Sequence, residues 1–344
     1  MFGEWCGKHL RATTAVVSLI ATCAAVGGVT ASAAPVTDPG AELAAQSAAN
    51  GSRLDHVTRI NDRELTLSVY SASMQRGVPV HVQLPADTSR PRPSLYFLDG
   101  GIRRAKTDVV EFMADKNVNV ISPTGGEDAY WADWKNPDPV MGINKWKTFI
   151  TEELPPIVDS ALGTNGVNAI AGMSRVGTAA LQLAIASPGL FRGVAAYSGC
   201  ASTSDPLGQL FIKITMSNYG KGNPENLYGP SYDPAWAAND PYFHASELRG
   251  TELFISSGNG LPGAYERLDG PHVNGDVGVL ARQIYAGGAV EAVTNYCTHR
   301  LADRLADVDV PATYSFRNSG THSWGYWQDD LHASWPVLAR SLNL

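Results

Sequence analysis

The sequence predicts an α/β chain: a doubly wound, mostly parallel sheet with a cap or insertion region. Three observations point there. Short apolar runs of strand length alternate with helix-like runs from about residue 61 onward. A serine stands in Gly172-Met173-Ser174-Arg175-Val176-Gly177, between the apolar run Val167 to Ala171 and the helix-like run Ala179 to Ala186. A histidine stands in Gly320-Thr321-His322-Ser323-Trp324, after the last strand-like run and before the last helix-like run.

Taken in order, Leu65 to Val69 and Val78 to Leu84 read as an antiparallel opening pair. Leu95 to Leu98 is a short apolar strand ending at Asp99-Gly100-Gly101. Val109 to Ala114 reads as helix and Val118 to Ile121 as strand. Trp146 to Leu154 carries a helix pattern that Pro155-Pro156 is expected to stop. After the serine turn come strands at Val194 to Tyr197 and Leu253 to Ser256. A long helical region follows from about Gly278 to Ala306, then a strand at Thr313 to Phe316 and a closing helix at Leu331 to Leu342. Residues 202–250 break the alternation with Gly, Pro, Asn and Tyr, and read as a cap on the domain rather than a domain of their own.

The N-terminus reads as an export signal. Lys8, His9 and Arg11 precede an apolar, small-residue stretch from Ala12 to Val29, and Ala31-Ser32-Ala33 is an A-x-A cleavage site. This divides the chain into a signal peptide (1–33), a linker or arm (34–60) and a catalytic domain (61–344). Export leaves only Cys200 and Cys297, and an oxidising compartment makes a bond between them the natural expectation; two separate buried thiols are the plainer alternative. Two cysteines do not complete a structural zinc site, so neither metal nor cofactor is expected. With a net charge of −7 and no basic run, the chain is a poor candidate for nucleic acid or an anionic membrane.

A serine hydroxyl is a weak nucleophile until a base takes its proton. A sharp strand-to-helix turn exposes the hydroxyl and aims the next residue's amide at the developing oxyanion, the arrangement of α/β-hydrolases. Gly172 fits that turn. Val176 stands where the second glycine of G-x-S-x-G is usual, and Gly177 comes one residue late. His322, on a loop of turn-forming residues, is the candidate base. The acid must lie between Ser174 and His322. The segment after Leu253 to Ser256 offers Ser257-Gly258-Asn259-Gly260 and no carboxylate, which leaves Glu266, Asp269, Asp276, Glu291, Asp303, Asp307 and Asp309 open. The Asp99-Gly100-Gly101-Ile102 turn is the candidate source of a second oxyanion amide.

Several collinear stretches carry a resemblance. They are Tyr96-Phe97-Leu98-Asp99-Gly100, Tyr130-Trp131-Ala132-Asp133-Trp134, and Lys145-Trp146-Lys147-Thr148-Phe149 with Glu153-Leu154-Pro155. Gly172-Met173-Ser174, Tyr228-Gly229-Pro230-Ser231, and Asp233-Pro234-Ala235-Trp236 with Asn239-Asp240-Pro241 follow. Last comes Gly320-Thr321-His322-Ser323-Trp324 with Tyr326-Trp327. Together these resemble the antigen 85-type mycolyltransferases, secreted esterase-fold enzymes of the actinobacterial mycolic acid envelope. That family also lacks the second elbow glycine.

The resemblance implies Ser174, His322 and Glu291 as the triad. It implies oxyanion amides at Arg175 and at Gly101 or Ile102, and sugar contacts at Asp99, Arg103 and Trp324. Arg175 departs from the family's small or hydrophobic residue and sets a guanidinium beside the nucleophile. A Cys200–Cys297 bridge would pin the helix bearing Glu291 against the sheet.

The implied reaction moves a mycoloyl group from trehalose monomycolate to a second one or to arabinogalactan, by a monomer, secreted and associated with the cell wall. A secreted carboxylesterase with the same triad, and a non-catalytic envelope-binding relative, are the rival readings. Leu207, Leu210, Phe211, Ile212 and Ile214 are expected to line an acyl groove or to be core.

Overall fold

The computed structural model describes residues 47–98, 106–219 and 222–344. The expected signal peptide and the arm up to residue 46 lie outside the described residues, as do Asp99, Gly101, Ile102 and Arg103.

Nine strands form one sheet in the order β1-β2-β3-β5-β4-β6-β7-β8-β9. β1 (Arg53–Arg59), β2 (Glu64–Ser71) and β3 (Arg76–Gln83) make an antiparallel meander, and β3 pairs antiparallel with β5 (Asn119–Pro123). From β5 onward every pairing is parallel, through β4 (Ser94–Phe97), β6 (Asn168–Met173), β7 (Phe191–Tyr197), β8 (Glu252–Ser257) and β9 (Thr313–Phe316). β1 falls in the segment the sequence assigns to the arm. Its side chains are mostly exposed, as on a sheet edge, so the apolar alternation that marks a strand is missing.

Burial follows the topology. β2 alternates buried Leu65, Leu67 and Val69 with partly exposed neighbours, so one face is covered. β4, β5 and β6 are buried on both faces, as parallel strands between two helical layers must be. On β6 the alternation divides the core. Ile170 packs with Trp131, Trp146 and Leu181 on one side; Ala169 and Ala171 pack with Leu95, Phe254 and Leu338 on the other.

Among the helices, α1 spans Val109–Met113. α2 starts at Trp146–Thr148, widens into a π turn over Phe149–Glu153 and runs on as Leu154–Leu162. The prolines expected to stop it fall in the first turn after the π turn, where the ordinary hydrogen-bond ladder is already interrupted and a missing N–H costs little. α3 (Arg175–Ala186) follows β6 directly. α4 (Pro206–Tyr219) and short turns at Pro224–Tyr228 and Ala235–Ala238 fill the cap region. α5 comprises Val277–Arg282, a π turn at Gln283–Gly287, and Gly288–Asp307. α6 (Trp324–Ser341) closes the chain, beginning seven residues before the apolar run that announced it. Among the described residues no helix is long and apolar enough to cross a membrane.

The chain leaves β4 for β5 on one side and returns to β6 on the other. Open α/β sheets place their sites at the carboxyl ends of strands at such a reversal. The loops after β6, β7, β8 and β9 all emerge at that end.

Candidate active site

Ser174 is the single residue between β6 and α3. Its backbone sits at φ 58° and ψ −136°, a left-handed conformation that costs a non-glycine residue free energy. The Ser174 amide donates to the Tyr197 carbonyl on β7 at 2.7 Å, which holds the turn in place. A Cβ at Gly172 would come within 2.7 Å of the Val176 carbonyl oxygen and side chain, so this position must be glycine. At Gly177 a Cβ would stand 3.1 Å from the carbonyl oxygens of Gly172 and Tyr197. The small residue that helix-to-strand packing requires is therefore Gly177, and Val176 is free to be a buried core side chain.

His322 Nε2 lies 2.7 Å from Ser174 Oγ, and His322 Nδ1 lies 2.7 Å from Glu291 Oε2. The three side chains, separated by 148 and 31 positions in sequence, form one hydrogen-bonded line. Of the seven carboxylates left open, Glu291 is the one that joins His322. Its other oxygen accepts from the Ser198 hydroxyl at 2.8 Å and the Gly258 amide at 2.6 Å. Thr294 Oγ1 donates to Oε2 at 3.2 Å. Burial by itself would push this fully buried carboxyl up. The hydrogen bond and charge of His322, the Ser198 hydroxyl and the Gly258 amide outweigh burial and hold its pKa below the ordinary value.

Around this line stands a group of supports, several of them from the quoted stretch that holds His322. Trp327 Nε1 donates to Ser198 Oγ at 3.1 Å, and its ring meets the His322 imidazole edge to face at 4.8 Å. Glu266 grips the residues on both sides of His322: Oε1 accepts from Thr321 Oγ1 at 2.6 Å and from Ser323 Oγ at 3.3 Å. Its Oε2 accepts from Tyr326 Oη and the Gly263 amide, both at 2.7 Å. Burial and the Glu266 carboxylate push the Tyr326 phenol up, so it stays a donor. The Gly287 carbonyl, at the end of the α5 π turn, accepts from the His322 amide at 3.1 Å.

Cys200 and Cys297 form a disulfide. It ties the loop after β7 to α5, six residues beyond Glu291, beside a 3.1 Å bond from Thr298 Oγ1 to the Gly199 carbonyl. Among the described residues no group of three or more His, Cys, Asp or Glu is set to hold a metal ion.

The line opens on a cavity of about 620 Å³. Its walls include Met173, Val279, Ala286, Val290, Trp324 and Trp327, with Thr215 contributed by the cap. Leu207, Leu210, Phe211, Ile212 and Ile214 do not line it. Phe211 and Ile212 turn into the core, and Leu210 and Ile214 face outward, because Thr215 is the α4 residue on the cavity side. Trp324 lies on the wall, packed edge to face against Trp327.

Arg175 also lines the cavity, and its guanidinium donates to Asp128 at 2.8 Å. Lys106, Arg282, His272 and Glu127 also stand on the polar part of the lining among the described residues. Burial, then the Lys106 charge, push the His272 imidazole down. His272 carries no sequence motif, and only the fold brings it to the cleft.

Fold and site together define a protein of the α/β-hydrolase class with a Ser-His-Glu line at the carboxyl end of its sheet. The esterase family model matches residues 71–338. The diacylglycerol acyltransferase/mycolyltransferase Ag85B of Mycobacterium avium is 31% identical over 292 residues, 80% of this chain and 82% of that one. Ag85A of Mycobacterium leprae is 31% identical over 293 residues, with the same coverage. The crystal structure of Mycobacterium tuberculosis MPT51 (FbpC1) has the same fold, with a TM-score of 0.65 and 22% identity over 80% of this chain and 97% of that one. The chain belongs to the esterase family and, within it, to the antigen 85-type mycolyltransferases.

Proposed function

We propose that this protein is a secreted, envelope-associated acyltransferase. It takes a mycoloyl group from trehalose monomycolate and passes it, through an acyl-enzyme on Ser174, to a second trehalose monomycolate or to arabinogalactan. The observation that carries this reading is the line Ser174–His322–Glu291 opening on a largely apolar cavity. The names of the relatives at 31% identity support the acyl-transfer class.

His322 Nε2 takes the Ser174 proton as Oγ attacks the ester carbonyl, and Glu291 holds the imidazole by its Nδ1–H and balances the imidazolium. The tetrahedral oxyanion forms beside the Arg175 amide at the N-terminus of α3, where helix amides face outward unpaired and favour negative charge. Gly101 or Ile102 supplies the second amide in this reading, and Asp99, Arg103 and Trp324 contact sugar. Collapse expels the trehalose oxygen, which takes the proton from His322. The acceptor hydroxyl then gives its proton to His322 and attacks the acyl-enzyme, and the departing Ser174 Oγ takes that proton back from His322. The protein acts as a monomer without metal or cofactor.

The test is brief exposure to trehalose monomycolate followed by intact-mass measurement and peptide mapping, with products resolved by thin-layer chromatography. A mycoloyl adduct on Ser174 and formation of trehalose dimycolate are expected. Free mycolate with no dimycolate would make the protein a carboxylesterase. No adduct and no turnover would leave the non-catalytic binding reading.

A further inference from the structure

Three permanent cations line the catalytic cavity: Lys106, Arg175 and Arg282. The chain as a whole carries −7, so the cavity reverses the balance of the molecule. One of the three is already answered, since the Arg175 guanidinium donates to Asp128 at 2.8 Å. Lys106 and Arg282 form no ion pair among the described residues. Asp276 comes within range of Arg282 without answering it. The amides of Val279 and Gly278, then the Arg282 charge, hold the Asp276 carboxyl below its ordinary value. Its Oδ1 is spent on those two amides, at 3.0 and 2.7 Å, as the cap of the helix. Glu127, the acid on the described lining, accepts from the Gly125 amide at 3.0 Å.

Lys106 is tied in place. A hydrogen bond joins the His272 ring to the Lys106 backbone, and Val273 beside His272 is buried. His272, its imidazole pushed down by burial and the Lys106 charge, adds no charge of its own at neutral pH. The two unanswered cations come from segments far apart in sequence and share with Ser174 one cavity of about 620 Å³, which takes a sugar-sized molecule. Cations on the walls of a cleft concentrate anionic ligands there, and their hydrogen bonds to phosphate oxygens are about twice as strong as neutral ones. The catalytic cycle says which part of a substrate brings the anion. An acyl chain is uncharged and takes the apolar walls. In a two-step transfer the departing and the accepting alcohol pass through the same place beside His322. The anion therefore arrives on the alcohol. Two open positive charges match a phosphate monoester, which carries about −1.5 to −2 at pH 7.

We propose that Lys106 and Arg282 form a phosphate subsite in the catalytic cavity, and that the protein acylates alcohols carrying a phosphate in preference to neutral ones. This inference rests on the acyltransferase reading and adds a further class of acceptor to it: a sugar or polyol phosphate with a free primary hydroxyl. The acceptor oxygen bonds to the acyl carbon as the bond from that carbon to Ser174 Oγ breaks. The acceptor proton passes to His322 Nε2 and from there to Ser174 Oγ. The phosphate takes no part in the bond changes; the two cations hold it and so place the hydroxyl.

The test acylates the protein with p-nitrophenyl butyrate in a mixture of methyl α-D-glucoside and α-D-glucose 1-phosphate at equal concentration. Both sugars offer the same primary hydroxyl, and mass spectrometry counts the two butyrylated products. At low salt, transfer to glucose 1-phosphate is expected to exceed transfer to the methyl glucoside at least about tenfold, and the ratio to shrink in roughly 0.5 M sodium chloride. Arg282→Gln and Lys106→Gln are each expected to cut the ratio about three- to tenfold, while Arg282→Lys, which keeps the charge, retains most of it. The ratio is taken within one sample, so an effect of a variant on folding or on acylation divides out. Equal transfer to both sugars, or a ratio that neither glutamine variant changes, overturns the proposal and leaves the acyltransferase reading standing. Hydrolysis with no transfer to either sugar would overturn the acyltransferase reading instead. The subsite is then read from inhibition of butyrate hydrolysis, and glucose 1-phosphate that inhibits no better than the methyl glucoside overturns it as well.

Discussion

Glu291 and Gly258 meet at 2.6 Å although 33 residues separate them. The turn Ser257-Gly258-Asn259-Gly260 at the end of β8 has no carboxylate of its own, and a carboxylate carried in by α5 fills the place. That loop gives an amide where another sequence would give an acid. Gly258 can do so because it has no Cβ, which would stand 2.5 Å from the Gly320 carbonyl oxygen. Glu291→Gln keeps the shape and loses the charge that balances the imidazolium. With a p-nitrophenyl ester, kcat is expected to fall by roughly 10²–10⁴ with little change in KM. Steady-state kinetics on folded variant check this, and an unchanged kcat would remove Glu291 from the mechanism.

Glu266 acts through the residues beside His322. Glu266→Gln replaces one accepting oxygen with a donor facing donors, either the Gly263 amide and Tyr326 or Thr321 and Ser323. We expect kcat/KM to drop about 10- to 100-fold, with KM and the melting temperature little altered. A lower melting temperature with normal kcat would assign Glu266 to stability alone.

The Cys200–Cys297 bond closes a loop with a sequence separation of 97. Restricting an unfolded chain over such a span is worth about 5 kcal/mol in the chain-entropy description. The Cys200→Ser/Cys297→Ser pair should unfold at markedly lower urea. Mass spectrometry of the exported protein should find no free thiol at either position, and two free thiols would contradict the bond.

Gly172→Ala places a methyl 2.7 Å from the Val176 carbonyl. Relief requires moving the start of α3, which carries the Arg175 amide. A loss of about 1–3 kcal/mol is expected, with acylation of Ser174 slowed beyond what the lost stability explains. Stopped-flow acylation against a urea titration separates the two.

Asp330 supplies the pH dependence. It is buried, paired with Arg317 and near Glu291. Burial raises its carboxyl to about 6; the Arg317 charge opposes the rise and the Glu291 charge adds to it. A folded-state pKa above the unfolded value of about 3.9 means the native state holds the proton more tightly. The stability this contributes is full below about pH 4 and is lost as pH rises through about 6. Relative to Asp330→Asn, the wild type should lose roughly 2–3 kcal/mol between those limits. Urea midpoints of both proteins across that range test it, and a constant difference would refute it.

The sheet was readable because its buried strands are short apolar runs between glycines and prolines, and the serine turn because Gly172 and Ser174 stand at the junction of two periodicities. β1 escaped because an edge strand with polar side chains lacks alternation. α2 ran past Pro155-Pro156 because a π turn had already opened the ladder. Glu291 could not be told by residue chemistry from Glu266 or Asp276: what distinguishes it is a meeting with Ser198 and Gly258 that only the packed fold creates. The resemblance names Glu291 where residue chemistry leaves seven choices, and Glu266, another of the seven, bonds the residues on both sides of His322.

The left-handed backbone of Ser174 is held by a hydrogen bond to Tyr197 on the neighbouring strand. Without β7 in register the turn relaxes and the hydroxyl loses its aim at His322. In the proposed mechanism the reactivity of this serine is thus a property of the assembled sheet. A fluorophosphonate that labels it would become a census of correctly folded molecules, readable in a crude mixture.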